Sequence, residues 1–129
     1  MTIDTDKILS ILNEYPIFMF HYNIDELFTS IFIIEKSGKA IARAYFYHDD
    51  TNIIYLDMLS IDTDIRQQGI GTKLQIIREN IGLILGANTS CLWAKKDTWM
   101  YDWYKRRGYE DYKPYEDDER YMWMKKTLI

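Results

Sequence analysis

The chain has a single cysteine, Cys91, within the apolar stretch SCLWA. No internal disulfide can form, and a buried structural thiol is the expectation. There are only two histidines, His21 and His48, far apart in sequence, so we expect no structural metal of the usual His and Cys kind. No apolar run approaches the roughly 20 residues that cross a bilayer. The opening MTIDTDKILS is acidic where a signal peptide is basic. Both absences predict a cytoplasmic protein with no membrane partner. A surplus of positive charge is also missing: 16 Lys and Arg against 20 Asp and Glu give a net charge of −4, which argues against nucleic acid as a partner. No repeat, linker or low-complexity tract breaks the 129 residues, so a single mixed α/β domain over 1–129 is the economical account.

What is present is an ordered series of hydrophobic periods. TDKILSILNEYP places Ile8, Leu9, Ile11 and Leu12 at helical spacing, with Thr5 or Asp6 as N-cap and Pro16 as a stop. IFMFHYNIDELF mixes periods, and strand and irregular helical turn both stay open. TSIFIIE, AIARAYFY and IIYLDMLSI read as three strands of an antiparallel meander. In the third, Ile54, Leu56 and Met58 point one way and Tyr55, Leu59 and Ile61 the other, as in a central strand covered on both faces. Ile70, Leu74, Ile77, Ile81 and Ile84 mark one face of a helix ended by Gly86 and Asn88. SCLWA reads as a parallel strand reached by crossover, DTWMYDWYKRRGY as a helix closed by Gly108, and YEDYK with RYMWMKKTL as a closing antiparallel pair. The aromatic fraction of 16% reads as bulky core, with a nucleic-acid surface around WYKRRGY and MWMKK as the weaker option.

The segment DIRQQGIGTKL, residues 64–74, carries Gly69 and Gly71 into the long helix. A Walker loop needs four residues between its glycines, followed by Lys-Ser/Thr, and so does not fit. A dinucleotide fingerprint needs a third small residue where Leu74 stands. What remains is Arg66-x-x-Gly69-x-Gly71 at a helix start, where unpaired backbone N–H groups and the helix dipole favour a pyrophosphate.

This pattern resembles the Gln/Arg-x-x-Gly-x-Gly/Ala hallmark of the GNAT superfamily of N-acetyltransferases. DTWMYDWYKRRGY is similar to the superfamily's second signature, with Tyr104, Gly108 and Tyr109 in register. The departures are Asp97 for Asn, Met100 for a small residue and Arg107 for an apolar one. The resemblance covers roughly residues 29–129. It implies a mostly antiparallel mixed sheet flanked by helices, the GNAT-like acyl-CoA N-acyltransferase fold, with acetyl-CoA as cosubstrate. It further implies cofactor contacts at Leu59, Ser60, Ile61, Arg66, Gln67, Gln68, Gly69, Ile70, Gly71, Thr72 and Asp97, with the 59–61 segment splayed from its parallel neighbour.

Acetyl transfer to an amine needs a base to free the nucleophile and an acid for the departing thiolate. Asp57, a carboxylate among apolar neighbours, is the candidate base, on the same parity as Leu59 and Ile61; a salt-bridge role is the competing account. Tyr104 matches the family's usual general acid, and phenols and thiols ionise within a unit or two of each other. Lys105, Arg106 and Arg107 read as a solvated cluster at a helix end, with Lys73 and Arg78 as exposed candidates on the long helix for a CoA phosphate. The acidic set Glu110, Asp111, Glu116, Asp117, Asp118 and Glu119 leans toward a cationic acceptor. The expected activity is transfer of acetyl to a primary amine, a small cationic amine or a protein amino group. A non-catalytic acyl-CoA-binding or partner-binding module is the alternative, and a homodimer is left open.

Overall fold

The computed structural model describes residues 3–129. Helix α1 spans Thr5–Leu12 and is capped by Asp4, whose carboxylate accepts from the Lys7 N–H at 3.2 Å. Thr5 and Asp6, the expected caps, lie inside the first turn. An extended residue just ahead of the helix is what reaches the third amide. The undecided stretch is a strand, β1 (Phe18–Ile24). It pairs only with β2 (Phe28–Glu35) and forms one edge of the sheet. Its residues beyond Phe18 are mostly exposed, so the alternation that marks a half-buried strand is missing.

Strand β3 (Ala40–Tyr47) turns through His48 and Asp49 into β4 (Asp50–Ile61). Helix α2 (Ile70–Ile84), β5 (Thr89–Lys95), α3 (Trp99–Arg106), β6 (Glu110–Pro114) and β7 (Tyr121–Thr127) follow. The strands form one sheet in the order β1-β2-β3-β4-β5-β7-β6, with β4 central and β4–β5 its parallel pair. Alternate residues Ala40, Ala42, Ala44 and Phe46 of β3, with Ile31 and Ile33 of β2, join α1, α2 and Tyr104 of α3 in one core. The opposite face carries Tyr45, Tyr55, Trp93 and Trp123, and among the described residues no helix lies over it.

The parity read from the sequence breaks inside β4. Between the pairs Arg43↔Asp57 and Ile41↔Ser60, β3 advances two residues and β4 three, and Met58 sits at φ 52°. Met58 is therefore a bulged residue, half-exposed instead of joining Ile54 and Leu56. Beyond it every side chain changes face. Ile61 lies opposite buried Ala40 on the helix side, together with Leu59, while Asp57 stays with Tyr55 on the helix-free side. Asp57 and the Leu59–Ile61 pair thus do not share a face. The extra residue comes just before the 59–61 segment.

Candidate active site

Strands β4 and β5 are hydrogen-bonded only from Ile53↔Thr89 to Tyr55↔Cys91. Beyond these pairs the two strands diverge, each held by its other neighbour, β3 or β7. Their facing backbone edges are left open. The loop after β4 is fixed by an ion pair from Asp64 to Lys39 and by Arg66 Nε donating to the Ile61 carbonyl at 3.0 Å. It delivers Gly69 at φ 75°, a left-handed conformation that favours glycine, as the N-cap of α2. No side chain among the described residues caps this helix. Among the described residues the first-turn N–H groups of Ile70, Gly71 and Thr72 have no partner, so positive helix-end potential is available to an anion. A Cβ on Gly71 would stand 3.3 Å from Ile61 Cδ1, the flexible end of a side chain.

A cleft of about 560 Å³ opens at this point. Of the residues expected around the cofactor, Leu59, Ile61, Arg66, Gln67, Gly69, Ile70, Gly71 and Thr72 line it. Ser60, Gln68 and Asp97 do not: Ser60 shares the helix-free face with its partner Ile41, and Asp97 forms a φ 62° turn before the α3 cap Thr98. The far wall is Trp99, Met100 and Trp103, one face of α3 that sequence reasoning missed. Their spacing of one and four along a helix was the available signal. Arg107 is not in a solvated cluster. Its guanidinium stacks 3.5 Å above the Trp103 ring, and Nη2 donates to Thr72 Oγ1 at 3.2 Å, tying α3 to the start of α2.

Tyr104 is carried inward from α3, because Gly108 (φ 94°) ends the helix and the Tyr109 N–H returns to the Tyr104 carbonyl at 3.1 Å. It is 6% exposed and stands behind Trp103, the rings 5.0 Å apart edge to face. Its hydroxyl is 3.5 Å from Arg78 Nη2. Arg78, expected on the surface, is fully buried. Alongside, Tyr109 donates to Glu79 Oε2 at 3.0 Å and accepts from Gln75 Nε2 at 2.9 Å. The Ser90 hydroxyl completes this knot at 2.7 Å and Lys126 pairs with Glu79 at 2.9 Å. Burial, with Glu79 beside it, holds the Tyr109 phenol well above its ordinary range.

Asp57 receives a hydrogen bond from Arg43 at 3.3 Å on Oδ2, while Oδ1 is buried without a partner among the described residues. Burial raises its pKa, opposed by the Arg43 and then the Arg78 charge. On the same face lies a second pocket of about 430 Å³. It is walled by Tyr45, Tyr47, Tyr55 and Trp123, with Cys91 in its lining. Tyr45 and Tyr55 stack at 5.2 Å, and Tyr55 meets Trp123 edge to face at 6.0 Å. Three of the six acidic residues of the neighbouring hairpin have partners among the described residues. Asp111 accepts from Tyr101 at 2.6 Å, Glu116 from Trp123 Nε1 at 2.9 Å, and Asp118 pairs with Arg120 at 2.7 Å.

A mixed sheet whose parallel pair splays open beside a glycine-led helix start is the architecture of acyl-CoA N-acyltransferases. The family comparison makes the assignment: the model of the acetyltransferase (GNAT) family matches residues 5–109, and the chain belongs to that family. Solved structures share the fold at low identity. An acetyltransferase from Bacillus cereus ATCC 14579 is similar at 20% identity and TM-score 0.60, over 96% of this chain and 89% of that one. Aminoglycoside 6'-acetyltransferase type Ii is similar at 21% identity and TM-score 0.63, over 81% and 72%. Ard1 from Thermoplasma volcanium is similar at 15% identity and TM-score 0.63, over 100% and 82%. No curated protein matches the sequence.

Proposed function

We propose that the protein is an acetyl-CoA-dependent N-acetyltransferase acting on a primary amine in a ternary complex. The observation that carries this reading is the uncapped start of α2, with free N–H groups at a cleft that also takes in Leu59 and Ile61, on the end of β4 that is not paired with β5. The diphosphate of CoA would take the helix-start amides and the pantetheine arm the unpaired strand edge. The amine would come from the helix-free face, where Asp57 and the aromatic pocket lie. As the amine nitrogen attacks the thioester carbon, an N–C bond forms and the C–S bond breaks. Asp57 takes the nitrogen's proton, directly or through one water, and Tyr104 gives its hydroxyl proton to the departing sulfur.

One observation favours the alternative, an acyl-CoA-binding module without turnover: Tyr104 is buried behind Trp103 and absent from the cleft wall. Two measurements separate the readings. Acetyl-CoA at about 100 times its Kd should raise stability by roughly 2.7 kcal/mol, read as an upward thermal shift. CoA release against a panel of small amines and peptide amines then reads turnover. No thermal shift rejects both readings, and a shift with no CoA release from any amine rejects the enzyme.

A further inference from the structure

Arg78 is the one arginine of α2, and it is 0% exposed. Its position has the phase of the core face, four residues after Leu74 and three before Ile81, both fully buried. Among the described residues it forms no ion pair with a carboxylate. Nη1 donates to the carbonyls of Arg43 at 3.1 Å and Asp57 at 3.0 Å, the two residues that face each other just before β4 takes in its extra residue. Nη2 donates to Gln75 Oε1 at 2.8 Å and reaches the Tyr104 hydroxyl at 3.5 Å. Nε is buried with no hydrogen-bond partner among the described residues. Burying a guanidinium with no carboxylate in direct contact is costly, and an apolar side chain at this place in a core is cheaper. Packing alone therefore does not account for an arginine here.

What this side chain does is join two things that the fold brings from opposite ends of the site. One is the bulge, which decides that Leu59 and Ile61 face the cleft and Asp57 the other side. The other is the hydroxyl of Tyr104, which arrives on a different helix. The planar fork of a guanidinium fixes both at once, a task for which the single ammonium of lysine is poorly shaped. We infer that Arg78 is a positioning residue for the transfer step, holding the Tyr104 hydroxyl in fixed relation to the bulged segment of β4. This rests on the transferase reading above. Arg78 acts through Tyr104 and the β4 backbone and takes no proton itself.

The test uses R78M and R78K, alone and combined with Y104F, in the full chain. Circular dichroism and urea unfolding select folded variants, and acetyl-CoA binding is measured directly. With the amine found most active, R78M should lower kcat on the order of tenfold or more while the Kd for acetyl-CoA stays within about twofold. R78K should recover part of the loss. In the Y104F background R78M should cost little more, because the two act as one unit. In protein carrying ring-labelled tyrosine, the Tyr104 resonance, identified by its absence from Y104F, should move in R78M and return partway in R78K. A folded R78M with wild-type kcat and an unmoved Tyr104 resonance overturns the inference, as do losses in R78M and Y104F that multiply independently. If R78M does not fold, a folded R78K with wild-type kcat and resonance overturns it equally. The resonance arm needs no acceptor, so failure to find any acetylated amine sinks the transferase reading while Arg78–Tyr104 coupling is still decided.

Discussion

Asp57 Oδ1 is a buried oxygen with no hydrogen bond among the described residues, on a carboxylate whose other oxygen is held by Arg43. Burial is the largest influence on its ionisation and raises its pKa, with Arg43 and Arg78 pulling the other way. A base works only when ionised, so the rate should fall as pH drops through this raised value, giving an acid limb above the usual carboxylate range. D57N should lose that limb and lower kcat on the order of 10²-fold. Linkage gives an independent check. The folded pKa exceeds the unfolded one, so this group's contribution to stability is full below the unfolded value and is lost as pH rises through the folded value. The stability of D57N relative to wild type should therefore improve with pH across that window in urea titrations; a constant difference would contradict the shift. Y104F should reduce kcat at any pH and leave acetyl-CoA affinity nearly intact. Equal turnover would take Tyr104 out of the mechanism.

At the scale of elements, strand and helix periods made most of the sheet and α2 legible, because one-sided burial imprints period 2 or 3.6 on composition. The β4 bulge left no such imprint. Met58 is an ordinary apolar residue, and an inserted position is visible only as a change of partner across the ladder. Arg78 was misplaced for a different reason: helix phase put it on the buried face, and charge argued the opposite. The cleft-facing run Leu59, Ile61 and Gly69–Thr72 was readable from the motif, whereas Trp99 and Trp103 were hidden among the chain's many aromatics. Two glycines of α2 separate packing from binding. A Cβ on Gly82 would meet Ile54 Cγ2 at 2.8 Å and Leu128 Cδ1 at 3.3 Å. Overpacking of this kind costs about 1–3 kcal/mol, against a helix-propensity gain near 1 kcal/mol. G82A should therefore lose on the order of 1 kcal/mol by urea unfolding. G71A meets only the flexible tip of Ile61. It should keep its stability and instead weaken acetyl-CoA binding, measured by calorimetry.

At the scale of the molecule, the sheet divides the site in two. The helix start and the α3 tryptophans form one pocket beside the unpaired end of β4, and the tyrosines and Trp123 of the bare face form the other, over the hydrogen-bonded part of the β4–β5 pair. Sequence could not place the second pocket, since Tyr45, Tyr55, Cys91 and Trp123 come from four strands that only the order β3-β4-β5-β7 makes adjacent. If the two pockets serve the two substrates, their binding should be separable by mutation. Y55A removes the ring that stacks on Tyr45 and meets Trp123, and it leaves the α2 start untouched. Acceptor KM should rise roughly tenfold while acetyl-CoA affinity holds within about twofold, as expected for sites that share no side chain. G71A should give the reverse pattern, and the double variant should show both effects added. A Y55A protein that loses acetyl-CoA affinity as strongly as acceptor affinity would mean that the sheet does not partition the substrates, and the amine would then have to enter from the helix side.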